Sequence, residues 1–122
     1  MGLKGIIYAR VGTTTVVSKM LDIATQIHEC EKWAKEQGIH ILDIFHDENA
    51  SGLCAREERE GFHNALSHVE QCKVDFFIVF DLARFAYAFE DIALYKSILD
   101  KHETSLIPVS LLVRHNYHSE NE

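Results

Sequence analysis

At 122 residues the chain is one domain long, and about two-thirds of its unfolded surface can be buried on folding, so it needs no disulfides or metals to hold together. Hydrophobic residues make up 47% and charged residues 25%, an ordinary globular balance, and the net charge is -7, from 12 basic against 19 acidic side chains. That balance argues against tight autonomous duplex binding, because phosphate neutralisation needs clustered lysine and arginine and the basic residues here are scattered.

The longest apolar runs, such as Phe76 to Phe80, are too short to span a bilayer, and no N-terminal segment has the make-up of a secretion signal. The three cysteines, Cys30, Cys54 and Cys72, lack paired spacing and read as reduced thiols of a cytoplasmic protein, two of them on packed helix faces.

In chain order, Lys4 to Val11 is an apolar, β-branched run that predicts a buried strand. Gly12 to Thr15 is a small polar loop. A helix is expected next, with Met20, Ile23, Ala24, Ile27, Cys30 and Ala34 on one stripe. Gly38 is placed to end it in a left-handed cap. Ile39 to Phe45 predicts a second strand, and Asp47 to Glu58 a polar loop containing Ser51 and Gly52. Phe62, Ala65, Leu66 and Val69 have helical spacing. Asp75 to Leu82 contains the run FFIVF, expected of a strand covered on both faces. A further helix carries Ile92, Tyr95, Ile98 and Leu99. Ser105 to Leu112 predicts a last strand, with Pro108 pointing to an edge or irregular position.

Alternating strands and helices with right-handed crossovers give an α/β fold. The expectation is a mainly parallel sheet of four or five strands with helices on both faces. Ligands in such sheets bind beyond the carboxyl ends of the strands, here Arg10 to Thr13, His46-Asp47 and Asp81 to Arg84. The expected division is a domain over residues 1–112 and a polar tail over 113–122.

Three separated segments resemble the serine-recombinase (resolvase/invertase) catalytic domain. Tyr8-Ala9-Arg10-Val11-Gly12-Thr13 is similar to the family's opening YARVST. Asp47-Glu48-Asn49-Ala50-Ser51-Gly52, followed by Arg59-Glu60-Gly61-Phe62, resembles its D-x-x-x-SG loop and R-x-G-[FL] helix start. Val79 to Asp91, VFDLARFAYAFED, aligns with the family's strand, LDRLSR and following aspartate. Gln26 falls where the family has a helix glutamine.

The resemblance implies a mechanism in which a loop serine attacks a DNA phosphodiester to form a phosphoserine while arginines hold the phosphate. A nucleophile needs fixed cations where negative charge accumulates, and the planar guanidinium matches phosphate oxygens. By the same resemblance Arg10, Arg59 and Arg84 are anion- or phosphate-binding. Gly12, however, stands at the serine position, Ala83 at the aspartate of LDR, and Tyr87 at the second arginine. With no side chain at Gly12 no covalent intermediate can form there, so no catalytic residue is expected. Thr13 is a weak substitute, since a shift of about 1 Å costs on the order of a hundredfold. The family's long dimerisation helix and DNA-binding domain are not expected here.

For each of these features a plainer account exists. Arg10 and Arg84 could pair with acids such as Asp47 or Asp81. Phe85, Tyr87 and Phe89 could form an exposed aromatic patch or pack under the next helix. The eight histidines, including His115 and His118, lack metal-ligand spacing, and no metal or cofactor is expected. The sequence therefore points to a recombinase homologue without catalysis that binds a protein partner or itself. Such a partner would be an active recombinase or another factor of a mobile element, phage or sporulation locus. The alternatives are a residual strand-transfer enzyme using Thr13 or completed in trans, and a sensor of a small phosphorylated ligand.

Overall fold

The computed structural model describes residues 2–11, 22–48, 59–86 and 89–112. The elements run β1 (Leu3–Arg10), α1 (Ile23–Gln37), β2 (Ile39–Asp47), α2 (Glu60–Gln71), β3 (Phe76–Val79), α3 (Leu82–Phe85), α4 (Phe89–Lys101) and β4 (Ser105–Pro108). Among the described residues the sheet has four strands, ordered β2-β1-β3-β4 and all parallel.

That order explains the layers. The chain steps from β1 to β2 in one direction, then back across β1 to β3 and on to β4. With right-handed crossovers, reversing the direction of travel moves the connecting helix to the opposite face. The core divides accordingly. One face joins Ile6, Tyr8, Phe77 and Val79 to Phe62, Leu66 and Val69 of α2 and to Tyr95 and Leu99 of α4. The other joins Ile7 and Ile78 to Cys30 and Ala34 of α1. Alternate residues of β1 and β3 serve opposite faces, which is why both strands read as unbroken apolar runs. The direction reverses at β1, so the carboxyl ends of β1 and β3 form the crevice where such folds bind ligands.

Sequence and structure differ most at three boundaries. α1 begins at Ile23 because Asp22 caps it, its carboxylate accepting from Thr25 N at 2.8 Å. Its buried stripe is Gln26, Cys30 and Ala34, flanked by Ile27 and Trp33, and Ala24 is exposed. Met20 lies outside the described residues. β3 ends at Val79, since the Asp81 carboxylate caps a single helical turn, α3, that periodicity cannot reveal. β4 ends at Pro108, and helical backbone runs over 109–112. Ser110 N donates to Phe80 O at 2.8 Å, and Val109 is buried against the α1 face. The edge position expected of Pro108 holds, because β4 is the outer strand. Gly38 ends α1 at φ 73°, as expected, its N–H donating to the carbonyls of Ala34 and Lys35.

The junction between β2 and α2 depends on a tertiary cap. Arg59 occupies the N-cap position of α2 but makes no side-chain cap. Asp47, at the end of β2, supplies it instead, accepting from Gly61 N at 2.8 Å and Phe62 N at 2.9 Å. The Tyr8 hydroxyl donates to the same carboxylate at 2.6 Å. Burial, and then this hydrogen bond, push the Tyr8 phenol well above its ordinary range. So close an approach leaves no room for a side chain at residue 61, where a Cβ would stand 2.2 Å from His46 O.

Gly61→Ala is therefore expected to destabilise the domain by about 1–3 kcal/mol, the usual cost of overpacking. Urea unfolding should show a lower midpoint at unchanged slope, and an unchanged midpoint would contradict the close packing. Cys30 is fully buried and its thiol is pushed up to about 12 by burial, whereas Cys72 is exposed. Iodoacetamide at pH 8 should alkylate Cys72 in the native protein and reach Cys30 only after denaturation, as peptide mass spectrometry would show.

Candidate functional site

The carboxyl end of β1 is anchored from two sides. On the α1 side the buried Gln26 amide makes a two-way clamp. Its Oε1 accepts from Arg10 N at 3.1 Å and its Nε2 donates to Arg10 O at 3.0 Å. From the turn after β3, Arg84 Nη1 donates to the same Arg10 carbonyl at 3.1 Å. The sequence reached Gln26 only through the family resemblance; its place inside the stripe Ile23, Ile27, Cys30 fits this role, since a buried amide must find partners.

All three arginines expected at the site converge on α3. Arg10 Nε donates to Arg84 O at 3.4 Å, and its Nη2 donates to Ala83 O. Arg59 Nη1 donates to Phe85 O at 3.0 Å and Arg84 O at 3.4 Å. The last carbonyls of a helix have no partners within it and carry partial negative charge, so cations suit them. Arg84 meets an acid in the way the plainer reading expected, with Nε 3.4 Å from Asp81 Oδ1. That contact is an ion pair without hydrogen-bond geometry. Asp47, the other acid considered, is occupied by Tyr8 and the start of α2.

Arg59 is fully buried, its guanidinium 3.9 Å from the centroid of Phe62 and 6.0 Å from that of Tyr8. Its Nε and Nη2 have no hydrogen-bond partner among the described residues. Burial lowers the pKa of Arg10, and the nearby guanidiniums of Arg59 and Arg84 lower it further, while Tyr8 and Asp81 oppose them. Concentrated positive charge in a crevice at the carboxyl ends of parallel strands suits an oxyanion.

The remaining site positions are distributed as follows. Ala83 is exposed on α3 and contributes only its carbonyl, to Arg10. Gly12, Thr13 and Tyr87 lie outside the described residues, as do His115 and His118. The aromatic segment is split, with Phe85 buried between Phe62 and Phe77 and Phe89 81% exposed. A shallow groove opens between the start of α1 and the ends of β1 and β2, lined by Val11, Ile23, Ile27, His46 and Glu48 among others. Among the described residues no group of three or more His, Cys, Asp or Glu is placed to hold a metal ion, and no helix is long and apolar enough to cross a membrane.

Known proteins share this fold. The family model of the resolvase N-terminal domain matches residues 5–117. The N-terminal catalytic domain of TP901-1 integrase is similar at 25% identity and a TM-score of 0.74, over 86% of this chain and 76% of that one. A resolvase-family site-specific recombinase from Streptococcus pneumoniae is similar at 21% identity and a TM-score of 0.70, over 98% and 89%. The catalytic domain of ISC1926 TnpA, an IS607-like serine recombinase, is similar at 20% identity and 0.75, over 88% and 70%, a likeness of fold. No curated protein matches by sequence. With the family model spanning residues 5–117, nearly the whole chain, the chain belongs to the resolvase N-terminal-domain family of serine recombinases.

Proposed function

We propose that this domain, related to site-specific recombination by its family, has lost strand cleavage and acts in the cytoplasm by binding a protein partner, an active recombinase or another factor of a mobile element. The observation that carries the reading is Gly12 at the position of the family's nucleophilic serine. A glycine offers no oxygen to attack phosphorus, and a phosphoserine cannot form without one. Ala83 and Tyr87 remove a carboxylate and a cation from the same segment. The net charge of -7 argues in the same direction, because it disfavours an unaided grip on duplex DNA.

The protein incubated with nicked and duplex DNA, then denatured, is expected to yield no covalent protein–DNA band. A Gly12→Ser variant run alongside asks whether the arginines still support attack once a hydroxyl is restored. An adduct from the natural protein that disappears in Thr13→Ala would overturn the proposal and establish the second reading, strand transfer from the neighbouring threonine. Retention of Arg10, Arg59 and Arg84 in one cluster is what favours that second reading.

Either way the arginines are proposed to hold an oxyanion, and the two Arg59 donors that have no partner among the described residues support this. Inorganic phosphate at constant ionic strength is expected to raise the melting temperature, since a ligand that binds only the folded state stabilises it. The increment should shrink in Arg84→Ala. An equal increment in both proteins would place the anion elsewhere.

A further inference from the structure

The groove at the start of α1 lies on the other face of the sheet from the Arg10 and Arg59 guanidiniums. Side chains of β1 alternate between the two faces. Tyr8 belongs to the α2 face, and Arg10, two residues on, sends its guanidinium to α3, whose Phe85 lies in the same core layer. Arg59 stacks on Phe62 in that layer. Ile7 belongs to the α1 face, and Val11 continues that series into the groove. His46 follows Ile44 of β2 in the same way.

The walls of the groove are fixed before anything docks. Ile23 and Ile27 line it from α1, on either side in sequence of Gln26, whose amide clamps α1 to Arg10. The ends of β1 and β2 are tied together by Val11 N, which donates to Asp47 O at 3.1 Å. A preformed site spares an incoming group the cost of ordering the protein.

The lining combines an apolar floor with an acidic rim. Val11, Ile23 and Ile27 are half-buried, and Ile27 packs on the α1-face core. Asp22 and Glu48 stand exposed at the rim, and among the described residues no lysine or arginine lines the groove. Asp22 is a dependable charge. Hydrogen bonds from Thr25, the backbone N–H first, hold its carboxyl below the ordinary range. The cavity measures about 490 Å³, within the roughly 300–1,000 Å³ of ligand pockets. It is too shallow, however, to enclose a small molecule on most sides, as such pockets do. A side chain protruding from a larger partner suits it better.

We infer that this groove is a docking site for a protein segment in which an apolar side chain is flanked by lysine or arginine, the apolar group on Ile23 and Ile27 and the cations against Asp22 and Glu48. Charge complementarity selects the occupant. Two carboxylates with no cation beside them in the groove attract ammonium and guanidinium groups and repel nucleic-acid phosphates, and the net charge of -7 steers basic partners from further away. The inference rests on the reading of the domain as a partner-binding protein and gives that partner a chemistry. The contact is far smaller than the roughly 1,600 Å² of a standard stable interface, so docking at this groove alone is weak.

A phage-displayed library of random heptapeptides, selected on the full chain at physiological salt, tests it. The expected consensus places an apolar residue next to lysine or arginine. A synthetic peptide of that consensus, followed by fluorescence anisotropy, should bind about tenfold or more weakly to Ala24→Trp, which fills the groove from an exposed position of α1. Glu48→Lys should weaken it severalfold, whereas Glu36→Lys, the same change of charge near the other end of α1, should not. All three positions are exposed, so melting temperatures should stay close to that of the natural protein. No enrichment, an acidic consensus, or peptide binding indifferent to Ala24→Trp overturns the inference. Duplex DNA binding that Ala24→Trp weakens overturns it equally, because the groove would then accept phosphates. No DNA enters the peptide assay, so its failure leaves the argument from Gly12 standing, and the covalent-adduct assay reads that argument separately.

Discussion

A guanidinium shut away from water needs acceptors, and at the carboxyl end of this sheet most of them are main-chain carbonyls. The single turn α3 ends with carbonyls that its own four residues cannot satisfy. Arg10 and Arg59 donate to them from β1 and from the start of α2, while Arg84 reaches back to the carbonyl of Arg10. The end of β1, the start of α2 and the turn after β3 are thereby joined at one place. Without α3 two buried cations would lose these carbonyl acceptors, a loss far costlier than that of an exposed pair.

The same arrangement bears on chemistry. Arginines anchored on carbonyls are pre-oriented, which is what stabilisation of a developing charge demands. It also gives them a purely structural use, so they can persist in a chain that carries glycine at the nucleophile position. Retained arginines are thus a poor sign of retained catalysis, whereas a missing oxygen at residue 12 acts on the reaction itself. The aromatic cluster beneath them, with Phe62 and Phe85 ring to ring at 5.3 Å, supports Arg59 from below and has no reason to change with activity.

The outer face of α4 stands apart from that crevice. Its inner residues belong to the core layer shared with α2. Packing explains Tyr95 and Leu99; it leaves Phe89 and Leu94 in water.

Much of the fold was written in local patterns. Alternation of apolar strands with periodic helices specified the parallel sheet, the buried faces of α2 and α4, and the cap at Gly38, because each depends on neighbours close in sequence. Gly12 at the position that resembles the family's serine was equally plain, as it is a matter of residue identity. Other features depended on residues far apart in the chain. Asp47 caps a helix that begins after Arg59, Gln26 clamps the backbone of Arg10, and α3 exists because Asp81 caps it and distant arginines take its carbonyls. The strand after Ser105 stops at Pro108 instead of reaching Leu112 because Ser110 hydrogen-bonds to Phe80 and Val109 is drawn into the opposite core. A sequence states which residues seek burial and which turns the backbone can make. Which distant acceptor a buried donor finds is decided only when the layers close.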